Sequence, residues 1–325
     1  MIRKPIVIKV TGGLTAQLLS LMCAIYLSQK FKRPFQMRYF SNSTRTYWPF
    51  EIEKLLQPSE LESIVNLKHI EVEKNQAPGS YIKDFPLRKK KFHYYRFLRV
   101  IYLLRLDWII RKIRSEYVVR GKIELLKRVP KSAKSVTGIF PPILDSAVIT
   151  EMCKRIENAG HPNPFKNVNV KSNLVIHYRL GDMRKMPARN SKFGGHGVVD
   201  PLLFKEVIEK FQLCEPDSNI IVVSDETELA IKLLGGVGLE NLQATESNNP
   251  WENLTTIASA RNFIGSLSQF STFGAILCSL NFGRVFLPSS VYGKGSLNID
   301  FGINQFNYIE YKYLKPDHWI FHSKL

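Results

Sequence analysis

The sequence predicts an α/β protein made of two units, each a parallel β-sheet covered by helices on both faces. Three observations carry this expectation. Short apolar runs alternate with stretches of helical periodicity, once around 6–31 and then regularly from 174 to 287. A glycine turn, TGG at 11–13, joins the first apolar run to the first helical stretch, as in the opening of a doubly wound domain. Between the two series lies AGHPNPFKNVN at 159–169, rich in Pro, Asn and Gly, which reads as a linker. A length of 325 residues also suits two domains.

The elements follow in order. Residues 6–10 form a first strand, and 14–31 carry apolar residues at helical spacing. Further strands are expected at 35–40 and 69–72. After the linker, a strand at 174–178 precedes a loop and a helix at 201–213. A strand at 219–223 ends in Ser224 and Asp225 and leads into a helix reaching about 234. A helix near 251–260 precedes a strand at 262–265, then the SLSQFST loop, with a helix opening at about Thr272 and running to about 280. A strand at 285–287 closes the series. The domains are accordingly 1–165 and 166–325.

Lys and Arg number 46 against 28 Asp and Glu, a net charge of +18, which points to an anionic partner. Residues 88–128 hold 14 basic and 3 acidic side chains, interleaved with aromatics such as Phe92, Tyr94, Tyr95 and Trp108. A solvated helical face explains such a segment. So does an amphipathic stretch lying on an anionic bilayer, where each surface cation contributes about 1 kcal/mol. No helix-turn-helix, zinc-finger or RNA-binding pattern accompanies the charge, so nucleic acid is not expected as a partner. Cys23, Cys153, Cys214 and Cys278 are scattered without a CxxC pair, which argues against a zinc site or disulfide framework and is compatible with a reducing cytoplasm. The N-terminal segment lacks the apolar core of a signal peptide, and no run approaches 18 uninterrupted apolar residues.

With parallel strands, the carboxyl ends gather HYRLGD (177–182), SDE (224–226) and GSLSQFSTFGA (265–275) on one rim. An arginine there suits bidentate bonds to phosphate. A Ser/Thr loop opening a helix offers hydroxyls, N–H groups and the positive end of the helix dipole. A carboxylate after a strand suits ribose hydroxyls or a base edge. Together they describe a pocket for a nucleotide diphosphate, which the TGG turn could approach from the other domain. His177 alone fits a hydrogen-bonded histidine near the core as well as a catalyst.

Four motifs in collinear order resemble the bacterial α-1,2-fucosyltransferases and the wider fucosyltransferase superfamily that shares the HxRxGD-type motif. They are GGLTAQ (12–17), HYRLGD, SDE and SQFSTFGA (268–275). The resemblance implies a GT-B fold, two Rossmann-like domains facing a central cleft, with the acceptor side in the N-terminal half and the donor nucleotide in the C-terminal half. It implies inverting, metal-independent transfer from GDP-fucose, with no cofactor. The absence of a DxD motif agrees. By position, Arg179 would hold the β-phosphate and stabilise the departing GDP, and Asp182 would orient that arginine or its loop. Ser268, Ser271 and Thr272 would serve the phosphates, Ser224 and Asp225 the nucleoside, and Gly12, Gly13 and Gln17 the donor from the N-terminal side. Asp182, His196 and Asp200 are candidates for a base acting on the acceptor hydroxyl, with His177 also in the catalytic set.

Three positions depart from the family pattern. Leu180 replaces a second arginine, Thr15–Ala16 replaces Gly-Asn, and Thr272–Phe273 replaces an aromatic pair. Fucose, a related GDP-linked deoxysugar and another nucleotide sugar therefore all stay open. The expected partners are a nucleotide-sugar donor, a glycan acceptor that a lipid carries, and an anionic membrane surface met through 88–128. The expected setting is the cytoplasm, at the inner face of the membrane, in O-antigen or capsule synthesis. A nucleotide-sugar-binding homologue without catalysis is the second class, and a basic nucleic-acid-binding protein ranks last.

Overall fold

A computed structural model describes residues 4–41, 50–66, 115–120, 123–166, 172–181, 198–215, 218–245, 249–266, 268–288 and 306–309. The chain divides into two compact units, Met1–Pro141 and Pro142–Leu325. Each contains one parallel sheet, so the expected pair of Rossmann-like halves is present. The division falls upstream of the 159–169 segment.

In the first unit, β1 (Ile6–Val10) leads through the glycine turn into α1 (Leu14–Phe31) and back to β2 (Phe35–Ser41). Strands β3 (Leu61–Asn66), β4 (Glu116–Arg120) and β5 (Ser135–Ile139) complete a sheet in the order β3-β2-β1-β5-β4, with the short helix α2 (Ile123–Lys127) between the last two. Ile6, Ile8 and Val10 are fully buried, as alternation along a strand demands. Helix α1 is apolar over much of its circumference, and it packs on β1 and β2. The strand expected at 69–72 lies outside the described residues, as does most of 88–128. The described end of that basic segment is not one amphipathic helix. Glu116–Arg120 is an edge strand pairing with β5, followed by the short helix α2.

Gly12 adopts φ +95°, a left-handed conformation that favours glycine, and its carbonyl accepts a hydrogen bond from Gln17 Nε2 at 2.9 Å. The same side chain accepts Glu51 N–H at Oε1, also at 2.9 Å. Gln17 is therefore a buried strut that holds the turn to the 50–51 segment, not a side chain presented to a ligand.

The second unit opens with α3 (Ser146–Asn158), capped by Asp145. Its sheet runs β11-β10-β9-β6-β7-β8, and every described strand pair is parallel. The strands are β6 (Ser172–His177), β7 (Ile220–Val223), β8 (Leu242–Ala244), β9 (Ala260–Ile264), β10 (Arg284–Pro288) and β11 (Phe306–Ile309). Helices α4 (Pro201–Phe211), α5 (Thr227–Gly236), α6 (Pro250–Ala258) and α7 (Gln269–Leu280) connect them. Both faces are buried. Leu174, Ile176, Tyr178 and Leu180 join one apolar cluster with residues of α4 and α5, whereas Val175 joins another with residues of α6 and α7.

The chain runs from β6 outward to β7 and β8, then crosses to the other side for β9, β10 and β11. The strand order thus reverses beside β6, and a crevice for ligands opens at the carboxyl ends of such a switch point. Cys23 and Cys278 are buried within the two units, and burial pushes both thiols up, Cys278 to about 12. No described helix is long and apolar enough to cross a membrane.

Replacing Gln17 by Leu leaves the partly buried Glu51 N–H and Gly12 carbonyl without this partner. The expected cost is about 1–3 kcal/mol, read as a lower urea midpoint for the first unit.

Candidate active-site rim

The site is built around the turn that leaves β6. Three consecutive N–H groups there find three different acceptors. Tyr178 N–H donates to Val223 O at 2.9 Å, Arg179 N–H to Ser266 Oγ at 3.0 Å, and Leu180 N–H to Asp225 Oδ1 at 2.8 Å. Val223 and Asp225 belong to the end of β7, and Ser266 follows β9. The turn is therefore held from both neighbouring strands, at the switch point itself. Tyr178 adds a further tie, because its buried hydroxyl donates to Val199 O at 2.6 Å.

Gly181 has a spatial reason to be glycine. A Cβ at this position would lie 2.5 Å from Asp225 Oδ2, and its φ is not left-handed. Asp225, expected near a nucleoside, thus has a first duty in closing the HYRLGD turn. Its carboxylate still reaches solvent at the rim. Ser224 shapes the turn into the next helix: its Oγ accepts Glu226 N–H at 3.1 Å and its carbonyl accepts Thr227 Oγ1–H at 3.2 Å.

Leu180 is fully buried in the apolar cluster beside α4 and α5. Position 180 continues the alternation of 174, 176 and 178 towards the core. In this chain it does not share Arg179's side of the turn, so an arginine here would have to leave the core to meet a ligand.

His177 lies on the opposite face, against α7. Its Nδ1 is 2.5 Å from Ser271 Oγ, and its ring is 5.1 Å from that of Phe270. Ser271 Oγ also accepts Ser266 N–H at 3.0 Å. His177 is only 6% exposed, and burial, reinforced by the Arg179 guanidinium, lowers its pKa to about 3. It is a neutral ring at physiological pH, packed beneath the turn. Its place is that of a positioning residue, where a catalytic one had been expected.

Helix α7 starts at Gln269, capped by Ser268, whose Oγ accepts Ser271 N–H at 2.9 Å. The helix therefore opens three residues before the expected Thr272. This shift turns Ser271 inward, completely buried with its Oγ engaged, so this hydroxyl is not presented to a phosphate, although it had been expected to bind one. Thr272 stays half-buried, and its Oγ1 donates to Ser268 O at 3.0 Å. What the helix start does present is its first-turn N–H groups, at Gln269 and Phe270, which have no intrahelical acceptor.

Arg179, Ser224, Asp225 and the Ser268 cap are thus brought to one rim, with His177 and Ser271 beneath it. Gly12, Gly13 and Gln17 belong to the first unit, at the carboxyl end of β1. Asp182 and His196 lie outside the described residues. Asp200 caps α4, accepting Leu202 N–H at 3.0 Å. Ser266 and Tyr178 escaped notice in the sequence. The position of Ser266, just past a strand and a glycine at the switch point, was the available signal.

No family model matches the chain, and no curated protein matches it in sequence. Among solved structures it is similar to the NodZ α-1,6-fucosyltransferase co-crystallized with GDP, at 11% identity over 84% of this chain and 93% of that one, with a TM-score of 0.38. It is also similar to the fucosyltransferase NodZ from Bradyrhizobium, at 11% identity, 84% and 93% coverage and a TM-score of 0.39. POFUT1 in complex with GDP gives 12% identity, 88% and 98% coverage and a TM-score of 0.39. At such values function has to come from the residues themselves.

Two outcomes test this geometry. Gly181→Ala should destabilise the second unit by about 1–3 kcal/mol, and the loss should shrink in an Asp225→Ala background, as a double-mutant cycle in denaturant would show. The buried, neutral His177 has its pKa depressed from 6.5 to about 3, so only the unfolded chain takes up its proton in that range. Its contribution is complete above pH 6.5 and is lost as the pH falls towards 3. The melting temperature of His177→Gln should therefore fall less steeply over that interval than that of the parent.

Proposed function

We propose that the chain is a glycosyltransferase that binds a GDP-linked sugar at this rim and moves fucose, or a related deoxysugar, to a glycan acceptor. The observation that carries the proposal is the convergence of HYRLGD, SDE and the 265–275 loop. Motifs that share only their order in sequence are joined by direct hydrogen bonds at the switch point, around one arginine.

In the proposed reaction an acceptor hydroxyl oxygen attacks the anomeric carbon and the bond to the β-phosphate oxygen breaks. The hydroxyl proton passes to a base, and GDP departs with the electron pair. Arg179 meets the charge that develops on the phosphate, and the start of α7 adds its N–H groups and dipole. The turn's main chain is fixed before any ligand arrives, so little reorganisation is required at that step. Asp225 offers the oxygen not used by Leu180 N–H for a ribose or base contact. Single-step displacement makes the transfer inverting, and the cationic role of Arg179 makes it metal-independent.

The acceptor is proposed to be a lipid-carried glycan at the inner leaflet, in surface polysaccharide synthesis, with the basic 88–128 segment on the bilayer. The altered residues of the glycine and HxRxGD motifs favour one competing case, a homologue that binds the donor without turning it over.

Titrating the protein with GDP, UDP, CMP and dTDP in EDTA tests the donor. GDP alone should bind, and Arg179→Ala should weaken it by about tenfold to a hundredfold, the worth of one charge-assisted contact. Slow release of sugar from GDP-fucose should accompany binding in a transferase and be absent from a non-catalytic homologue. Preference for another nucleotide would overturn the GDP assignment.

A further inference from the structure

The first sheet has a switch point of its own. The chain runs from β1 outward to β2 and β3, then crosses to β4 and returns to β5, on the other side of β1. Ligands in such sheets sit beyond the carboxyl ends of the strands at that point. Val10, the last residue of β1, pairs with Tyr39 on β2. The ring of Tyr39 is buried, and Phe50 stacks over it with centroids 4.8 Å apart and planes at 25°. Glu51 follows Phe50, and its N–H is held by Gln17 Oε1 while the same amide holds the Gly12 carbonyl. Ile52 then enters the core, fully buried.

Phe50 and Glu51 are thus anchored beside the glycine turn, yet the fold does not use up either side chain. Phe50 is half-buried, and Tyr39 covers one face of its ring, so the surface it keeps lies away from that face. Glu51 is half-buried too, and among the described residues no cation or hydrogen-bond donor meets its carboxylate. Burial alone acts on it and lifts its pKa above the usual carboxylate range. A desolvated carboxylate without a partner costs stability. Such a group points to a ligand that supplies the missing hydrogens. One carboxylate beside an aromatic ring offers too few donors for a metal ion.

We propose that this end of the first sheet binds a sugar ring of the glycan acceptor, with Phe50 against the ring's apolar face and the Glu51 carboxylate receiving its hydroxyl hydrogens. A pyranose is apolar on the face where its axial C–H bonds point and polar around its edge. It is matched by an aromatic surface next to a group that only accepts hydrogen bonds. Bonds from hydroxyls to a carboxylate are charge-assisted, which offsets the burial of the charge. That the sugar belongs to an acceptor rests on the transferase reading. The site itself uses no residue of the second unit.

The test is binding of the full chain, with GDP present, to an array of neutral mono- to tetrasaccharides, followed by titration with the best of them. Neutral sugars keep the net positive charge of the chain out of the readout. At least one should bind. Glu51→Gln should weaken it by about tenfold to a hundredfold. Phe50→Leu should weaken it by about threefold to tenfold, and Phe50→Tyr should keep the parent's affinity. Glu51→Gln should melt at or above the parent's temperature, since it removes a desolvated charge, whereas loss of a merely structural group would lower it. The GDP titration should be unchanged in all three. The proposal is overturned if no neutral saccharide binds, if Glu51→Gln binds as the parent does, or if its loss of binding comes with a lower melting temperature. A chain that binds a saccharide in this way but not GDP would sink the donor assignment and leave the sugar site standing.

Discussion

The rim of the second unit depends on how three successive N–H groups are satisfied where the main chain leaves β6. A strand that ends inside its sheet exposes backbone groups that must find partners. Here the partners come from the main chain of β7, a carboxylate just past β7, and a serine just past β9. The result is a turn whose path is set by its neighbours. The main chain that carries Arg179 is thus placed by the sheet itself.

Each unit settles a strand end in a related way. In the first unit a buried glutamine ties the glycine turn to another segment through both ends of its amide. At the other end of that sheet, Arg33 collects carbonyls that the strand starts leave without ladder partners. Buried polar groups must be paired, so these side chains stabilise the turns by occupying what would otherwise be costly vacancies.

The interior of the fold was legible in the sequence, and its edges were not. Strands β1, β2, β6, β7, β9 and β10 carry apolar runs next to helical patterns, and the residues announce them. The edge strands read poorly. LESIVN holds Glu62, which pairs with Arg38 on β2, EYVVR lies in a basic tract, and LQA is three residues long. Strand β5, SVTGI, is interior but short and rich in small polar residues. At the site, Arg179 could be placed from its spacing, whereas the orientation of Ser271 could not. Successive helical residues turn by about 100°, so a start at Gln269 in place of Thr272 carries that hydroxyl from the rim to the core. The burial of Leu180 was also hidden, since alternation had to persist past the strand's last ladder residue.

The buried cluster of His177, Ser266 and Ser271 has room for two arrangements of its protons. Ser271 Oγ receives the Ser266 N–H, and a hydroxyl oxygen keeps a second lone pair as well as its one hydrogen. It can therefore donate to His177 Nδ1, or accept from it and turn its own hydrogen to Ser266 Oγ, 3.5 Å away. The ring is neutral in both, since burial lowers its pKa to about 3. The support beneath the turn can thus be rewired without gaining or losing charge, and the field above it stays the same.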